Sequence, residues 1–367
     1  MTSRPTVSSR LPDFPWDRLV PYAERARAHP GGVVDLSIGT PVDPTPEVVQ
    51  QALRDAADSP GYPTTLGLVE TRQACLDWLA DSHGVTGLGL DAVLPVVGSK
   101  ELIAQLPLHL GIGPGDLVVL PEVAYPTYDV GARLVGAESL ATDSLTSIGP
   151  RTPALLWLNS PSNPTGRVLP PDHLRKVVAW CRERGVLLVS DECYLECAWE
   201  ADPVSVLHPD ICGGSPEGIL VVHSLSKRSN LAGYRCAFVA GDPAVVGELL
   251  AVRKNLGLMM PGPQQRAMAA ALRDTAHAAE QHARYAARRS VLRGALESAG
   301  FRVEHSEASL YLWSTRDEDC WTSVEWLAER GILVAPGAFY GHAGRQHVRV
   351  AFTATDERVA AAAERLV

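Results

Sequence analysis

The sequence has no long apolar run and no long basic run. None of its apolar stretches reaches the roughly 20 residues needed to cross a bilayer, and its opening residues, MTSRPTVSSRLPDFPW, contain no apolar segment typical of a secretory signal. No run of Lys and Arg is longer than two residues, and the net charge at pH 7 is −9. We therefore expect no membrane association, no nucleic-acid partner and a cytoplasmic location.

Cysteine is also sparse and irregularly spaced. The chain has seven cysteines, none in a CxxC pair or in a Cys/His cluster with the spacing of metal ligands, and the closest two are Cys193 and Cys197. An odd, scattered set is typical of reduced, buried thiols, so we expect neither a disulfide framework nor a metal site. The hydrophobic fraction of 46% and the charged fraction of 20% exclude a disordered or fibrous chain.

What the sequence does contain is an alternation of short apolar runs and amphipathic segments between residues 91 and 241. The apolar runs begin at Val93, Leu117, Ala154, Val186, Gly218 and Cys236. Strands that alternate with helices predict an α/β fold, with a mostly parallel sheet covered by helices on both faces. The functional groups of such a sheet lie at the carboxyl ends of its strands.

The rest of the chain lacks this regular alternation of strands and helices, which indicates a second domain. A short strand at 33–38 leads into a turn at Gly39, and a long helical stretch from about Pro263 to Glu297 precedes a hairpin-like pair at 301–315. A chain of 367 residues is long enough for two domains. We predict an N-terminal arm at 1–38 that joins the small domain, a large domain at 39–250 and a small α+β domain at 251–367.

The segment HSLSKRSNLAGYR, residues 223–235, has the most distinctive chemistry. Lys227 follows the apolar run GILVV, and burial at a strand end favours the neutral amine, which reacts with carbonyl compounds. Ser224, Ser226 and Arg235 offer the hydroxyl and guanidinium donors that bind a phosphate dianion. The segment predicts a Schiff-base lysine beside a phosphate site, whereas a solvated loop lysine is the alternative for Lys227 taken alone.

A glycine turn after the first strand supplies further anion donors. Ser99 and Lys100 follow Gly98 at the start of a helix, with Ser99 as the predicted N-cap, and the amides of such a helix start attract anions. After the next strand, Tyr125 lies in an AYP turn and offers an aromatic face. Simple packing is the alternative explanation for this tyrosine.

The two following strands end in groups that suit a heteroaromatic ring. Asn163, in the rigid turn NSPSNPTG, and Tyr194, after the strand VLLVSDE, can donate hydrogen bonds to a phenolate oxygen. Asp191 can hold a pyridinium nitrogen protonated. A turn or a helix cap would explain any one of these residues. Together with Lys227 and the phosphate donors, they match the groups of one cofactor, pyridoxal 5'-phosphate.

The chain resembles the fold-type I, class I/II aminotransferases in an ordered set of motifs: GSK, AYPTY, NSPSNPTG, SDECY, SLSKRSNLAGYR and HVRV. The resemblance runs from about Asp35 to the C-terminus and implies a large, mostly parallel sheet of the seven-stranded type with a smaller α+β domain. A narrower resemblance is to the N-succinyldiaminopimelate aminotransferases of actinobacteria. It rests on LSIGTPVDPTP, PGYPTT, AYPTYDVGARL, LHPDIC, LYLW and APGAFYGHAGRQHVRVAFTATDERV.

The resemblance implies a catalytic set of Lys227, Asp191 and Tyr194. Lys227 would carry the cofactor and move a proton between the substrate Cα and the cofactor, while Asp191 would pair with the ring nitrogen. The other cofactor contacts would be Asn163 and Tyr194 at the 3'-oxygen, Tyr125 against the ring, and Ser99, Lys100 (largely through backbone amides), Ser224, Ser226 and Arg235 around the phosphate.

The resemblance also implies the substrate contacts and the assembly. Arg349 would bind the substrate α-carboxylate, assisted by Asn163 and the Gly39 amide; a surface arginine at a strand edge is the alternative explanation from sequence alone. Tyr62 would reach the phosphate in the partner subunit, which implies a homodimer with shared active sites.

The implied reaction moves the amino group of glutamate, which leaves as 2-oxoglutarate, to N-succinyl-2-amino-6-oxopimelate. The product is N-succinyl-LL-2,6-diaminopimelate, for lysine and diaminopimelate biosynthesis, and the reaction can also run in reverse. Arg253, Lys254 and Arg228 are possible contacts for a distal carboxylate, although each could equally be a surface charge. Phe14 and Trp16 could close over the substrate or could simply pack.

Three alternatives stay open. The first is a class I/II aminotransferase of another amino acid. The second is a C–S lyase or decarboxylase on the same fold, which also needs Lys227 and Asp191. The third is a non-catalytic regulator that has kept the fold, against which the intact set of lysine, aspartate and arginine counts.

Overall fold

The computed structural model describes residues 6–367; residues 1–5 of the predicted arm lie outside the described residues. The α-helices are α1 Val20–Arg27, α2 Glu47–Asp55, α3 Val69–His83, α4 Ser99–His109, α5 Thr127–Val135, α6 Pro171–Arg184, α7 Pro209–Cys212, α8 Leu225–Arg228, α9 Pro243–Leu256, α10 Gly262–Arg273, α11 Ala276–Ser298, α12 Cys320–Glu329 and α13 Asp356–Leu366. The strands are β1 Val34–Asp35, β2 Val93–Val97, β3 Leu117–Leu120, β4 Glu138–Ala141, β5 Leu155–Asn159, β6 Leu187–Asp191, β7 Ile219–Ser224, β8 Cys236–Gly241, β9 Arg302–Glu304, β10 Tyr311–Thr315, β11 Ile332–Leu333, β12 Ala335–Pro336 and β13 His347–Ala351.

A seven-stranded sheet forms the larger part of the molecule. Its strand order is β2-β8-β7-β6-β5-β3-β4, and only β8 runs antiparallel to its neighbours. The central strands are buried on both faces, because helices cover each face: Val119 and Leu156 belong to one core cluster, and Val118 and Leu155 to another. The predicted α/β fold with a large, mostly parallel sheet is confirmed.

A smaller antiparallel sheet, with the order β12-β13-β10-β9, forms most of the C-terminal part. Strand β1 pairs in parallel with β11 in a separate two-stranded sheet, and α1 packs against α12, so N-terminal residues pack with the C-terminal part of the chain. The predicted strand at 33–38 contains only two paired residues, because the Asp35 carboxylate accepts hydrogen bonds from the Ser37 N–H (2.9 Å) and hydroxyl (2.6 Å) and turns the chain.

The helical stretch predicted at 263–297 consists of two helices. Asp274 has an extended conformation after α10, and its Oδ1 accepts a hydrogen bond of 2.8 Å from the N–H of Ala276, the first residue of α11. Helix α10 packs against α2 and α3 and contributes Ala267 and Met268 to a core cluster of the seven-stranded sheet. The domain boundaries stay a prediction, and from this packing we propose that the two domains divide near residue 274 instead of 250.

No helix within residues 6–367 is long and apolar enough to span a membrane. Over the same range, no three His, Cys, Asp or Glu side chains group in a way that could hold a metal ion.

Candidate active site

A cavity of about 680 Å³ lies at the carboxyl ends of β5, β6 and β7, between the two sheets. The predicted site residues that line it are Ser99, Lys100, Tyr125, Asn163, Asp191, Tyr194, Ser224, Ser226, Lys227, Arg235 and Arg349. Gly39 touches the cavity through its contact with Lys227. Tyr62 is 99% exposed and lies outside the cavity of its own chain. The structure thus brings the predicted residues of widely separated segments to one place, with Tyr62 as the exception.

Lys227 is positioned by the short helix α8, which follows β7 directly. The Ser224 hydroxyl accepts a hydrogen bond from the Ser226 N–H (3.2 Å) and so caps this helix. The Lys227 side chain is half-buried, and its Nζ donates a hydrogen bond to the Gly39 carbonyl. The amine therefore faces the cavity and is held by a segment of the N-terminal region, unlike a solvated loop lysine.

Asp191, the last residue of β6, is a buried carboxylate with two donors. The Tyr128 hydroxyl donates to its Oδ2 (2.8 Å), and the Cys193 N–H donates to its Oδ1 (3.2 Å). Burial raises the pKa of Asp191, and the hydrogen bonds from Cys193 and Tyr128 oppose that rise. A cationic N–H group beside this carboxylate would stabilise its ionised form.

Two residues that contact Asp191 were given no role from the sequence, although both lie in motifs described above. Tyr128, the last residue of AYPTY, stacks on Trp157 with ring centroids 4.8 Å apart. Asn159, the first residue of NSPSNPTG, donates to the Asp191 carbonyl (2.9 Å) and accepts from the Asn163 N–H (2.7 Å). Asn159 therefore connects the turn that carries Asn163 to the strand that carries Asp191.

The anion donors surround the start of α4. Gly98 is the N-cap of this helix, with φ of +86°, so Ser99 is the first helical residue and its prediction as N-cap is wrong. A Cβ on residue 98 would lie 2.1 Å from Nη2 of Arg235, so the guanidinium packs directly on the glycine. Burial and, next, the charge of Arg235 lower the pKa of Lys100. Two cations, the amides of a helix start and the Ser224–Ser226 hydroxyl pair (2.9 Å) thus converge here.

Arg349, on β13, is buried on the side of the cavity that the small sheet forms. Its Nη1 donates to Asn163 Oδ1 (2.9 Å), and its Nη2 donates to the carbonyls of Ser37 (2.6 Å) and Ile38 (3.1 Å). Its guanidinium carbon lies 3.9 Å from the centroid of the Tyr311 ring. The side chain is 2% exposed, so it is not a surface arginine at a strand edge.

Three phenols surround the space between Lys227 and Arg349. The hydroxyls of Tyr194 and Tyr311 lie 3.0 Å apart, and burial raises the pKa of Tyr125 to about 12. A Cβ on Gly39, whose φ is +76°, would lie 2.6 Å from the Tyr311 ring. Tyr311 lies in the LYLW motif, to which sequence reasoning gave no role.

The N-terminal arm forms one side of the cavity. Phe14 and Trp16 line it, with ring centroids 5.7 Å apart, and Trp16 packs on Phe339 at 5.4 Å. Lys100 Nζ lies 6.0 Å from the Phe14 ring centroid and 5.9 Å from that of Tyr125. The two aromatic arm residues therefore both pack and shape the cavity.

The basic residues considered for a distal carboxylate lie elsewhere. Arg253 is fully buried and forms two hydrogen bonds of 3.0 Å with Glu101, and Arg228 is buried in an ion pair with Glu196. Lys254 is exposed and does not line the cavity. For Arg253 and Arg228 that suggestion is wrong, because a carboxylate partner within the protein already neutralises each charge.

The residues around the cavity fit pyridoxal 5'-phosphate. The Gly98–Arg235 contact leaves no room for a side chain at the start of α4 and favours a compact anion there. The buried Asp191 suits a ring nitrogen, and the half-buried Lys227 amine suits an aldehyde. Tyr194 and Asn163 line the cavity and can donate to the 3'-oxygen.

Comparisons with known proteins agree with this chemistry. The family model described as aminotransferase class I and II matches residues 31–366. The probable aminotransferase Rv1178 of Mycobacterium tuberculosis is 62% identical over 99% of this chain and 87% of its own length. The 4-dedimethylamino-4-oxo-anhydrotetracycline transaminase OxyQ of Streptomyces rimosus is 59% identical over 97% of this chain and 99% of its own. A solved structure of a probable N-succinyldiaminopimelate aminotransferase from Thermus thermophilus superposes with a TM-score of 0.87 at 28% identity, covering 96% of this chain and 99% of that one.

Proposed function

The chain belongs to the class I and II aminotransferases, and from this premise we propose that it exchanges an amino group between glutamate and N-succinyl-2-amino-6-oxopimelate. The protein is a transaminase that depends on pyridoxal 5'-phosphate. The observation that best supports the proposal is the segment Ser37–Gly39. Its carbonyls contact both Lys227 and Arg349, so one three-residue segment joins the proposed reacting amine to the proposed carboxylate clamp.

Bound pyridoxal 5'-phosphate supplies the carbon that takes up the amino group and a ring that stabilises a carbanion. We assign Lys227 as the residue that holds the cofactor and then carries the proton removed from the substrate Cα. Its contact with the Gly39 carbonyl supports this role, because the hydrogen bond keeps Nζ at one point of the cavity wall.

The residues assigned to the cofactor act by orientation and charge. Asp191 would keep the ring nitrogen protonated, and the Tyr128 hydroxyl supports this role because it fixes the carboxylate at Oδ2. Asn163 and Tyr194 would donate to the 3'-oxygen. The phosphate would be bound by the remaining donors, which are Ser99, the backbone amide of Lys100, Ser224, Ser226 and Arg235, and the Tyr125 ring would pack on the cofactor.

Arg349 serves both half-reactions because each substrate carries an α-carboxylate. Two N–H groups of its guanidinium are already directed by the carbonyls of Ser37 and Ile38 and by Asn163. These contacts fix the plane of the guanidinium before any substrate arrives, which lowers the entropy cost of binding a carboxylate in one pose. Release of one product before entry of the next substrate makes the reaction ping-pong.

Recognition of the distal carboxylate is assigned to Lys100. Its Nζ lies at the cavity between the rings of Phe14 and Tyr125, whereas Arg253 and Arg228 are paired inside the protein. An acidic side chain that reaches Lys100 would gain a charge contact in a largely apolar surrounding. The similarity to the Thermus thermophilus protein supports the succinylated substrate.

A second candidate acceptor comes from the Streptomyces rimosus relative. That protein is named as a transaminase of 4-dedimethylamino-4-oxo-anhydrotetracycline and is 59% identical to this chain. The apolar wall of Leu11, Phe14 and Trp16 and the cavity volume of about 680 Å³ suit a large, flat ketone as well as an extended acid.

We further propose a homodimer and a cytoplasmic enzyme of lysine and diaminopimelate biosynthesis. Tyr62, a large aromatic residue that is 99% exposed, supports the dimer because its proposed partner is the phosphate in the other subunit. Sedimentation analysis of Tyr62→Phe and wild type, with cofactor affinity measured on both, would test this: a monomer with full affinity would contradict it.

The proposed function is tested by absorbance spectroscopy of the protein loaded with pyridoxal 5'-phosphate. L-Glutamate and, separately, N-succinyl-LL-2,6-diaminopimelate should each convert the cofactor to its amino form and release the matching 2-oxo acid. Lys227→Ala should show neither conversion.

Other outcomes separate the alternatives. Conversion by glutamate alone would keep the aminotransferase and reject the succinylated substrate, after which the oxo-anhydrotetracycline would be tested as acceptor. Release of pyruvate with a thiol from a sulfur amino acid would favour a C–S lyase, and no spectral change with any donor would favour a regulator.

A further inference from the structure

Tyr311 is a buried residue of β10 that the reaction outlined above does not use. Its hydroxyl lies 3.0 Å from that of Tyr194, and its ring face lies 3.9 Å from the guanidinium carbon of Arg349. Gly39 packs against this side chain, since a Cβ at residue 39 would lie 2.9 Å from the Tyr311 hydroxyl. One side chain thus touches both the proposed cofactor-oxygen donor and the proposed carboxylate clamp.

We propose that Tyr311 is a positioning residue with two separable parts: its hydroxyl donates to Tyr194 and strengthens that residue as a donor to the cofactor, and its ring holds Arg349. The inference rests on the proposed function, since it takes the roles of Tyr194 and Arg349 from there.

The direction of the hydrogen bond follows from the number of hydrogens that the two phenols carry. Tyr194 has one hydroxyl hydrogen, and its proposed role uses that hydrogen at the cofactor's 3'-oxygen. The 3.0 Å contact between the two hydroxyls then leaves Tyr311 as the donor and Tyr194 as the acceptor. The titratable and charged groups that face the two phenols are Lys227, Arg349, Tyr125, Tyr340, Cys193 and Cys197.

A donor that itself accepts a hydrogen bond is a stronger donor. Tyr194 polarised in this way withdraws more negative charge from the cofactor's 3'-oxygen. In the cofactor-loaded protein, a stronger donor at this oxygen would favour its ionised form and so lower the pH at which the cofactor loses a proton. Tyr311 thereby sets the pH at which the cofactor's visible absorbance changes, without touching the cofactor.

The test uses Tyr311→Phe in the cofactor-loaded protein, with a pH titration of the visible absorbance as the main readout. We expect the midpoint to rise by about half a pH unit, the size of one lost hydrogen bond between neutral groups. Because the ring remains, KM for glutamate should stay within about twofold of wild type. Tyr340→Phe is the matched control. The Tyr340 ring lies 5.0 Å from the same guanidinium, and within residues 6–367 its hydroxyl has no hydrogen-bond partner, so its midpoint should not move.

Tyr311→Leu removes the ring as well as the hydroxyl. It should reproduce the midpoint shift of Tyr311→Phe and, in addition, raise KM for glutamate roughly tenfold. If KM is near wild type in Tyr311→Phe but raised in Tyr311→Leu, while the midpoint is shifted in both, the ring and the hydroxyl act separately. Thermal unfolding of each variant reports whether the fold is kept.

Three results would overturn the inference. If the midpoint is unchanged in Tyr311→Phe but shifted in Tyr194→Phe, the Tyr311 hydroxyl has no role in the titration. The proposed function would still hold in that case. A fall in the midpoint would mean that Tyr311 accepts. A wild-type protein with no visible absorbance after addition of pyridoxal 5'-phosphate would instead refute the proposed function itself.

Discussion

The cavity has two walls that are built in different ways. The cofactor wall comes from consecutive strand ends of one sheet, where Asp191, Ser224 and Lys227 lie within 37 positions of the chain. The substrate wall joins Arg349 of the small sheet to the carbonyls of 37–39 and to the arm at 11–16. The groups of the cofactor wall thus come from one continuous stretch of chain, residues 99–235, whereas the substrate wall depends on contacts between residues some 300 positions apart.

The two walls also differ in what holds their charged groups. Asp191 is fixed by side-chain and backbone donors of its own sheet region, whereas Arg349 is fixed by carbonyls from another part of the chain. The contacts of Asp191 therefore need only the large-sheet region, whereas those of Arg349 need the small sheet and the N-terminal segment together. Variants of each wall should therefore fail in different assays.

The largest effect is expected where the two walls meet, at Lys227. Lys227→Ala should lower the rate of amino transfer by roughly 10⁴-fold, because the residue that we assign to move the proton is lost. Far-ultraviolet circular dichroism should be unchanged. The control is Lys254→Ala, an exposed lysine on α9, which should keep the wild-type rate. Substantial turnover by Lys227→Ala would reject the assignment.

The next effect isolates the substrate wall. Arg349→Lys should lower kcat/KM for glutamate by roughly a hundredfold, because a lysine cannot bind a carboxylate through two parallel hydrogen bonds. The affinity for pyridoxal 5'-phosphate, followed by visible absorbance, should stay near that of wild type. Arg345→Lys, at an exposed position four residues away, is the matched control. Loss of cofactor binding in Arg349→Lys would contradict the view that the two walls act independently.

A pair of glycine variants sharpens the same division. Gly98→Ala would place a Cβ 2.1 Å from Arg235, and Gly39→Ala would place one 2.6 Å from the Tyr311 ring, each at a positive φ. We expect Gly98→Ala to weaken cofactor affinity roughly tenfold and Gly39→Ala to raise KM for glutamate by a similar factor. If both variants changed the same parameter, the two walls would not be independent.

The smallest effect concerns a buried pair behind the cofactor wall. Glu192 Oε2 lies 3.5 Å from His223 Nε2, and neither side chain is more than 2% exposed. Burial raises the pKa of Glu192 from 4.5 to about 7 and lowers that of His223. A carboxyl whose pKa is higher in the folded state contributes stability below about pH 4.5, and that contribution is lost as pH rises through about 7.

Glu192→Gln keeps the hydrogen bond from the Val206 N–H and removes the ionisation. Its Tm should exceed that of wild type by roughly 3–5 °C at pH 8 and by much less at pH 5. The exposed Glu183→Gln should show no such dependence on pH. An equal rise in Tm at both pH values would mean that packing around residue 192, and not ionisation of Glu192, destabilises the wild-type protein.

The large sheet, and the fact that Asp191 and Lys227 lie at the ends of its strands, could be predicted because their signals are local. Asp191 and Lys227 each follow an apolar run directly, so strand and functional group are read together. Tyr128 and Tyr311 had no such signal. A tyrosine in a helix or a strand resembles ordinary core, and only the fold brings Tyr128 to 2.8 Å from Asp191 or Tyr311 to 3.0 Å from Tyr194.

The errors have equally specific causes. Serine is a strong capping residue, which favours Ser99 as the N-cap, but the Arg235 guanidinium occupies the space of a side chain at 98, so glycine caps the helix. Arg253 is a candidate substrate contact on sequence alone because its partner, Glu101, lies 152 positions away in the chain. Pairing of charges between distant parts of the chain leaves no trace in local sequence.

The arm at 11–16 lines the cavity, yet it belongs to neither sheet. A mutation there alters the shape offered to an incoming ketone while the contacts of Asp191, Lys227 and Arg349 stay in place. In evolutionary terms, specificity for the amino acceptor can then change with the fewest compensating mutations elsewhere. Gene duplicates of such a chain can acquire new substrates while inheriting the same chemistry intact.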